Sequence, residues 1–288
     1  MKNAFYYILA ISMIISCKSS VKTTIKVDSL SAGKTPEKTN SVIDKLGPFF
    51  YGVWVKSSYI EDIAKTKSPY STSELGGVAS FQIGKLGPKD DSTHVGYSLN
   101  NHEGSDFVLY LKTGHKLTSL KTNLPDYDVK SNFFELGYTI NNKDTVLMLY
   151  RYNKNNHIID STRYSKVADE AKGENDAAWG IQYITNKTLF TGKYISTDTT
   201  GATSKIQFTN DGKVSGLLNF KDYFINTDFG ATPEDDLDEI VFDLYSKKNT
   251  LYSFKINADT LNLYDTHYNS DSTKILLSKR VYKLVKQK

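Results

Sequence analysis

The chain has 288 residues, a formal net charge of +4 and one cysteine, and 39% of its residues are hydrophobic. A chain of this length can bury a core without disulfide bonds. The small, scattered excess of basic residues argues against a nucleic-acid partner. The single cysteine, Cys17, has to be explained from its neighbours.

A short apolar segment precedes Cys17. Lys2 is followed by the run AFYYILAISMII, Ala4 to Ile15. This run is shorter than the ~20 residues that cross a bilayer, but it suits the apolar region of a signal peptide. The letters Ile-Ile-Ser-Cys at 14–17 resemble the lipobox of bacterial lipoproteins. The resemblance implies cleavage after residues 1–16, a diacylglyceryl group on the Cys17 thiol, and palmitate or a similar acyl chain on its new amine.

The segment behind Cys17 indicates a tethered protein. Several acyl chains would hold it firmly at a membrane, because each buried methylene contributes ~0.8 kcal/mol. Residues 18–20, Lys-Ser-Ser, lack the acidic cluster that resembles an export signal in some lipoproteins. We therefore expect an outer-membrane lipoprotein that faces the periplasm. Residues 21–46 are rich in Lys, Ser and Thr and contain no aromatic residue, so residues 17–47 are predicted to form a lipidated, flexible tether.

From Pro48 onward the sequence has the features of an all-β protein. The chain contains 20 Tyr and 14 Phe, and apolar alternation recurs between Asn, Asp and Gly turns. Examples are DFVLYL at 106–111 and DTVLMLYRY at 144–152. One or two short helices are expected, the clearest in SYIEDIAKTK, where Ser58 and Glu61 have the spacing of a capping box.

The chain from Pro48 onward contains an internal repeat. Four pairs of segments match in the same order, which predicts a duplication. The matched segments are FYGVW (50–54) with FTGKY (190–194), SFQI (80–83) with KIQF (205–208), YTINNKDTVLM (138–148) with FKINADTLNL (254–263), and STRYSKV (161–167) with SKRVYKL (278–284).

The predicted first strand of each repeat carries a glycine and an aromatic residue, and the predicted last strand carries an arginine. In the first repeat these are Gly52, Trp54 and Arg163. The combination resembles the signature of the calycin superfamily, which includes the lipocalins. The resemblance implies that the arginine of the last strand crosses the indole and closes the barrel, a contact of ~0.5–2 kcal/mol. The equivalent residues of the second repeat, with Tyr in place of Trp, are Gly192, Tyr194 and Arg280.

These patterns predict an all-β fold of two tandem antiparallel lipocalin-like barrels with one or two short helices. The first barrel is expected over residues 48–167 and the second over 179–288, joined by a polar linker at 168–178. A barrel of about eight strands either fills with side chains or holds one small ligand.

The sequence contains no motif for catalysis, a metal or a cofactor. The five His lack metal-ligand spacing, and HExxH, GxSxG, P-loop and GxGxxG motifs are absent. The segment NNHEG places Asn101, His102 and Glu103 together as candidate ligand-binding residues. His102 and Glu103 could act as acid and base, although neighbours on a strand point to opposite faces. The acidic run at 233–239 lacks the order of a calcium loop.

Three functions remain open from the sequence. The first is a membrane-anchored envelope lipoprotein that binds a small apolar or amphipathic ligand. The second is a non-catalytic interaction or structural module with filled barrels, whose surface engages another envelope protein. The third is a hydrolase that uses His102 and Glu103. The volume and polarity of the barrel interiors distinguish the first from the second.

Overall fold

The computed structural model describes residues 41–72, 75–87, 90–99, 103–142, 144–172, 176–197, 201–228, 237–271 and 273–288. The predicted signal peptide, Cys17 and the predicted tether up to residue 40 lie outside the described residues, as do Asn101, His102 and residues 233–236 of the acidic run. All described residues belong to one compact unit.

The described residues include three helices and sixteen strands. The helices are α1 (Ser41–Phe50), α2 (Ser57–Thr66) and α3 (Trp179–Leu189). The strands of the first half are β1 (Gly52–Lys56), β2 (Val78–Ile83), β3 (Ser92–Leu99), β4 (Glu103–Thr113), β5 (Ser119–Pro125), β6 (Phe133–Asn141), β7 (Asp144–Tyr152) and β8 (Ile158–Ala168). Those of the second half are β9 (Gly192–Thr197), β10 (Thr203–Phe208), β11 (Val214–Ser215), β12 (Tyr223–Ile225), β13 (Glu239–Phe242), β14 (Thr250–Asn257), β15 (Thr260–Tyr268) and β16 (Ile275–Lys286).

Strands β1 to β8 form a closed antiparallel barrel. Each strand pairs with the next along the chain, and β1 pairs with β8 to complete the ring. The closure includes a register shift between Val53 and Trp54. This half therefore has the all-β barrel predicted from its alternating apolar residues, and it is compatible with a lipocalin-like fold.

The barrel interior is packed with aromatic and aliphatic side chains. Phe81 lies between Phe107 and Tyr164, with ring centroids 5.9 and 4.6 Å away. The buried side chains of this core are Leu46, Phe50, Trp54, Phe81, Ile83, Val95, Tyr97, Phe107, Leu109, Leu111, Leu120, Leu124, Leu136, Leu147, Leu149 and Tyr164. An eight-stranded barrel is just wide enough to be filled in this way.

Helix α1 covers the end of the barrel at which β1 begins. Leu46 and Phe50 are one turn apart and both enter the barrel core, while Phe49 stacks on Tyr138 with a centroid distance of 4.2 Å. Pro48 lies inside this helix. Residues 41–47, which the sequence assigned to the tether, are thus part of α1.

The second half repeats the strand order of the first in an eight-stranded antiparallel sheet. Its order is β11-β10-β9-β16-β15-β14-β13-β12, the order of the barrel opened between the equivalents of β3 and β4. A single antiparallel bridge between Lys213 and Asp222 joins the edges. The repeat segments fall on equivalent strands, β1 and β9, β2 and β10, β6–β7 and β14–β15, and β8 and β16.

The two halves share a hydrophobic core. Val55 of β1 and Tyr59 of α2 are completely buried in the same cluster as Phe190 and Phe254 of the second half. The Tyr59 hydroxyl is hydrogen bonded to Thr185 Oγ1 of α3 at 2.6 Å. Because β1 alternates, Trp54 points into the barrel while Val55 faces this second core. The expected polar linker therefore joins two halves that pack directly on each other.

Helix α2 begins one residue earlier than its predicted capping box. Lys56 is the residue before its first turn, and no side chain caps it. Glu61 instead pairs with Arg163 across 2.8 Å. The prediction of a helix here is confirmed, and the capping-box interpretation is wrong. The structure has three short helices where the sequence indicated one or two.

Candidate ligand-binding site at the mouth of the barrel

The closed end of the barrel contains a Gly-x-Trp arrangement with a basic partner. The indole Nε1 of Trp54 donates a hydrogen bond to the Phe50 carbonyl at 2.8 Å. The ammonium of Lys166, the cross-strand partner of Trp54, lies 5.9 Å from the indole centroid. Gly52 has φ +131°, a conformation that favours glycine. Arg163, which the resemblance placed over the indole, forms its ion pair with Glu61.

The second half has the same arrangement. The Tyr194 hydroxyl donates to the Phe190 carbonyl at 2.8 Å, and Lys286 Nζ lies 5.9 Å from the tyrosine ring. Gly192 has φ +148°. The guanidinium of Arg280 donates to Asn262 Oδ1 at 3.3 Å. In both halves a lysine near the end of the last strand occupies the position that the sequence analysis gave to an arginine.

The opposite end of the barrel opens into a cavity of about 440 Å³, which we call the mouth cup. Its lining residues are Lys56, Gly76, Gly77, Val78, Tyr97, Leu99, Leu124, Pro125, Asp126, Tyr127, Asp128, Phe134, Leu149, Arg151, Asp160, Thr162 and Tyr164. Tyr97, Leu149 and Tyr164 belong to the packed core, so they form an apolar floor. The cup is a concave site with mixed apolar and polar walls, as small-molecule sites are.

An ion pair between Arg151 and Asp126 organises one wall of the cup. Arg151 Nε and Nη2 donate to the two carboxylate oxygens of Asp126 at 2.6 and 2.9 Å. Asp126 is 2% exposed, and its Oδ1 also accepts the backbone N–H groups of Asp128 and Val129. Its Oδ2 accepts Asn132 Nδ2 at 2.9 Å. The loop between β5 and β6 is therefore folded around one buried carboxylate.

The charges at this wall shift the pKa values of both partners. Hydrogen bonds from Arg151 hold the pKa of Asp126 well below its usual range. Hydrogen bonding to Asp126, helped by the nearby charges of Asp128 and Asp160, raises the pKa of the Arg151 guanidinium. A bidentate pair of this kind fixes the orientation of both side chains.

Tyrosines form the aromatic part of the cup. Tyr97 is buried, and its hydroxyl lies 3.3 Å from that of Tyr127, which is 67% exposed at the rim. Burial and the Tyr127 hydroxyl raise the pKa of Tyr97 to about 12. The Tyr164 hydroxyl donates to the Val78 carbonyl at 2.8 Å, and burial raises its pKa. With their raised pKa values, the Tyr97 and Tyr164 hydroxyls are protonated at neutral pH and serve as hydrogen-bonding groups.

A larger groove of about 640 Å³ runs along the outer wall of the barrel. Its floor is largely glycine, alanine and carboxylate, and its residues are Tyr51, Gly52, Val53, Gln82, Ile83, Gly84, Gly96, Gly104, Ser105, Asp106, Asp169, Glu170, Ala171 and Ala177. The mouth cup has the core tyrosines and leucines that this groove lacks. We therefore take the cup as the candidate site.

The structure places a carboxylate beside a histidine on the outer wall. Glu135 is 1% exposed on its side chain, and its Oε1 lies 2.7 Å from His115 Nδ1. Ser119 Oγ donates to the other oxygen of Glu135 at 2.7 Å. Because the hydroxyl binds the carboxylate and not the imidazole, this cluster lacks the order of a nucleophilic triad. Among the described residues, no group of three or more His, Cys, Asp or Glu side chains is placed to hold a metal ion.

Of the candidate residues from NNHEG, the structure describes only Glu103. Glu103 is the first residue of β4 and is exposed, and its pairing partner Leu99 lines the cup. Asn101 and His102 are outside the described residues. The start of β4 is therefore at the same end of the barrel as the cup.

Sequence reasoning missed the Arg151 and Asp126 pair. A pattern that points to it is the alternation of β7, in which Leu147, Leu149 and Arg151 share the inward face. An arginine on the core side of a strand requires a buried acidic partner. That partner is 25 residues away along the chain, so spacing alone does not identify it.

None of the helices in the described part of the chain is long and apolar enough to cross a membrane. Comparison of the chain with protein-family models, with curated proteins and with solved structures gives no match. The closed eight-stranded barrel and its second sheet are compatible with a lipocalin-like architecture on the strand order alone.

Proposed function

We propose that the protein is a membrane-anchored envelope lipoprotein that binds a small amphipathic molecule in the mouth cup. The observation that carries the binding proposal is the cup itself, a cavity of about 440 Å³ with an apolar floor and charged walls at the mouth of a closed barrel. Ligand sites of drug-sized molecules have volumes of ~300–1,000 Å³ and a few polar groups that orient the ligand.

The packed interior below the cup limits the ligand to a small one. Tyr97, Leu149 and Tyr164 are at most 4% exposed and close the path towards Trp54. A ligand would therefore lie across the mouth, with its apolar part on this floor and its polar part among the charged side chains of the rim. A long acyl chain along the barrel axis would need the core to be displaced.

The anchor proposal is supported by the sequence around Cys17. A positive residue, a short apolar run, a small residue and a cysteine occur there at lipobox spacing. We propose an outer-membrane location facing the periplasm, with residues 18–40 as the tether. Cys17→Ser is expected to release the chain from membranes or to block its maturation, because its acyl chains supply the attachment. Tight membrane association of unmodified Cys17→Ser protein, measured by fractionation, would contradict this proposal.

Binding at the cup can be tested with a matched pair of variants. Thr162→Trp places an indole in the cup, whereas Thr139→Trp makes the same change on the exposed surface of β6. A decyl amphiphile measured by titration calorimetry should bind the parent and Thr139→Trp equally and bind Thr162→Trp at least ~tenfold more weakly. Equal binding by all three proteins would place any ligand elsewhere.

A second candidate function is a non-catalytic interaction module. The filled core of the barrel is the observation that favours it, since a barrel without an internal cavity can act through its surface alone. This module would engage another envelope protein and would bind no small amphiphile. Absence of binding to the parent protein in the same titrations would favour it over the leading proposal.

A further inference from the structure

We infer that the mouth cup selects amphiphiles with a cationic head over those with an anionic one. The inference rests on the proposed binding function and adds the charge class of the ligand. Five charged side chains line the cup, three carboxylates and two cations. They are Asp126, Asp128, Asp160, Lys56 and Arg151.

The positive charge of Arg151 is compensated within the protein. Two of its nitrogens bind Asp126, and Nη2 lies 3.6 Å from Asp128 Oδ2. Asp160 adds a third negative charge to its surroundings. An anionic head that paired with Nε and Nη2 of Arg151 would have to displace Asp126, which is 2% exposed and also holds the loop between β5 and β6. Displacing a buried, hydrogen-bonded carboxylate is strongly unfavourable.

The strongest hydrogen-bond donors of the cup already have protein acceptors. Lys56 Nζ donates to the Gly76 carbonyl at 2.8 Å, and the Tyr164 hydroxyl donates to the Val78 carbonyl at 2.8 Å. Recognition of an anion requires donors that are available to it. An anion in the cup would share the Lys56 ammonium and the Tyr164 hydroxyl with these internal acceptors.

The cup does offer acceptors and aromatic rings. The Asp128 side chain is 87% exposed at the rim, and Asp160 is exposed beside it in the cup wall. Tyr97, Tyr127 and Phe134 line the same cavity. Aromatic faces attract ammonium groups, and nearby carboxylates add to this attraction. Together they form surroundings that favour an ammonium or quaternary ammonium head above an apolar floor.

Three probes with the same chain test the inference: decyltrimethylammonium, decanol and decanoate, each titrated below its critical micelle concentration. The cation is expected to bind ~tenfold or more tightly than decanoate, with decanol in between, because the exposed carboxylates of Asp128 and Asp160 attract a cationic head and repel an anionic one. The double variant Asp128→Asn/Asp160→Asn should reduce this preference to ~threefold or less. Asp144→Asn, which removes an exposed carboxylate at the β6–β7 turn away from the cup, should leave the preference unchanged.

The outcomes separate the inference from the function on which it rests. Decanoate binding as tightly as the cation, or a preference that survives the double variant, would overturn the charge selectivity and leave the binding function in place. Failure of all three probes, decanol included, would overturn both. Loss of the preference at high salt, with decanol binding unchanged, would support an electrostatic origin.

Discussion

Asp126→Asn tests the network that organises the mouth cup. In the parent protein Oδ1 of Asp126 accepts two backbone N–H groups and one nitrogen of Arg151, and Oδ2 accepts Arg151 Nε and Asn132 Nδ2. An asparagine can keep the first three hydrogen bonds through its oxygen. Its NH₂ group takes the place of Oδ2 and then faces the Arg151 Nε and Asn132 Nδ2 donors, with which it cannot form hydrogen bonds. Arg151 also loses its counter-charge.

The expected loss of stability follows from the burial of the two partners. Removing one partner of a buried ion pair costs ~3–5 kcal/mol, because the remaining charge is desolvated and unpaired. Asp126 is 2% exposed but the Arg151 side chain is 26% exposed, so water can recover part of this loss. We therefore expect Asp126→Asn to lower the free energy of unfolding by ~2–3 kcal/mol. For a unit of about 250 residues this corresponds to a fall in Tm of roughly 5–10 °C.

The assay is chemical denaturation of the parent, Asp126→Asn and Asp128→Asn. The Asp128 side chain is 87% exposed, so its variant should stay within ~0.5 kcal/mol of the parent.

The pH dependence of stability gives a second readout. Because the pKa of Asp126 is lowered on folding, its contribution is present above the unfolded value of ~3.9 and is lost as pH falls below it. The variant should therefore lose less stability than the parent between about pH 4 and pH 2. Equal stability of all three proteins at neutral pH would refute this account of the loop.

Three further predictions concern the closed end, the outer wall and the predicted tether. Trp54→Ala should lower the free energy of unfolding by ~3–5 kcal/mol. A double-mutant cycle with Lys166→Ala should show coupling between the two side chains, and strictly additive losses would mean that the ammonium does not stabilise the indole. Glu135→Gln should lower the free energy of unfolding by ~1–3 kcal/mol in urea titrations, because its carboxylate is buried and accepts several hydrogen bonds. Glu103→Gln, on the exposed start of β4, should stay within ~0.5 kcal/mol of the parent. Similar losses in both variants would argue against the burial of Glu135. Residues 21–40 should be the first segment cut in limited proteolysis of detergent-free protein, and protection of that segment would show that it packs onto the folded part.

The strands could be predicted from the sequence because their alternation is local. The segment at 144–152 became β7, and the matched repeat segments fall on equivalent strands of the two halves. Helix α1 was not predicted, because Pro48 suggested the end of one region and the start of another. Its two core residues, Leu46 and Phe50, become visible as an apolar face only once the proline is allowed within the last turn.

The basic residue at each closure could not be chosen from the sequence. The last strand of the first half contains both Arg163 and Lys166, and its pairing with β1 sets Lys166 opposite Trp54, as the pairing of β16 with β9 sets Lys286 opposite Tyr194. These registers join strands that lie far apart along the chain. The mouth cup was missed for the same reason, since its walls come from the ends of seven different strands and the turns between them.

The core shared by the two halves has a consequence for cooperativity and for evolution. Tyr59 comes from the first repeat but is buried with Phe190 and Phe254 of the second, so neither half can unfold without exposing apolar surface on the other. We expect a single unfolding transition for residues 41–288 and aggregation of either half when the chain is cut at 168–178. If the repeat arose by duplication, the ancestral single copy had no second half against which to bury these apolar residues. Its outer surface would therefore have differed from that of either half. The seam at 168–178 therefore divides two repeats in the sequence but not two units of folding.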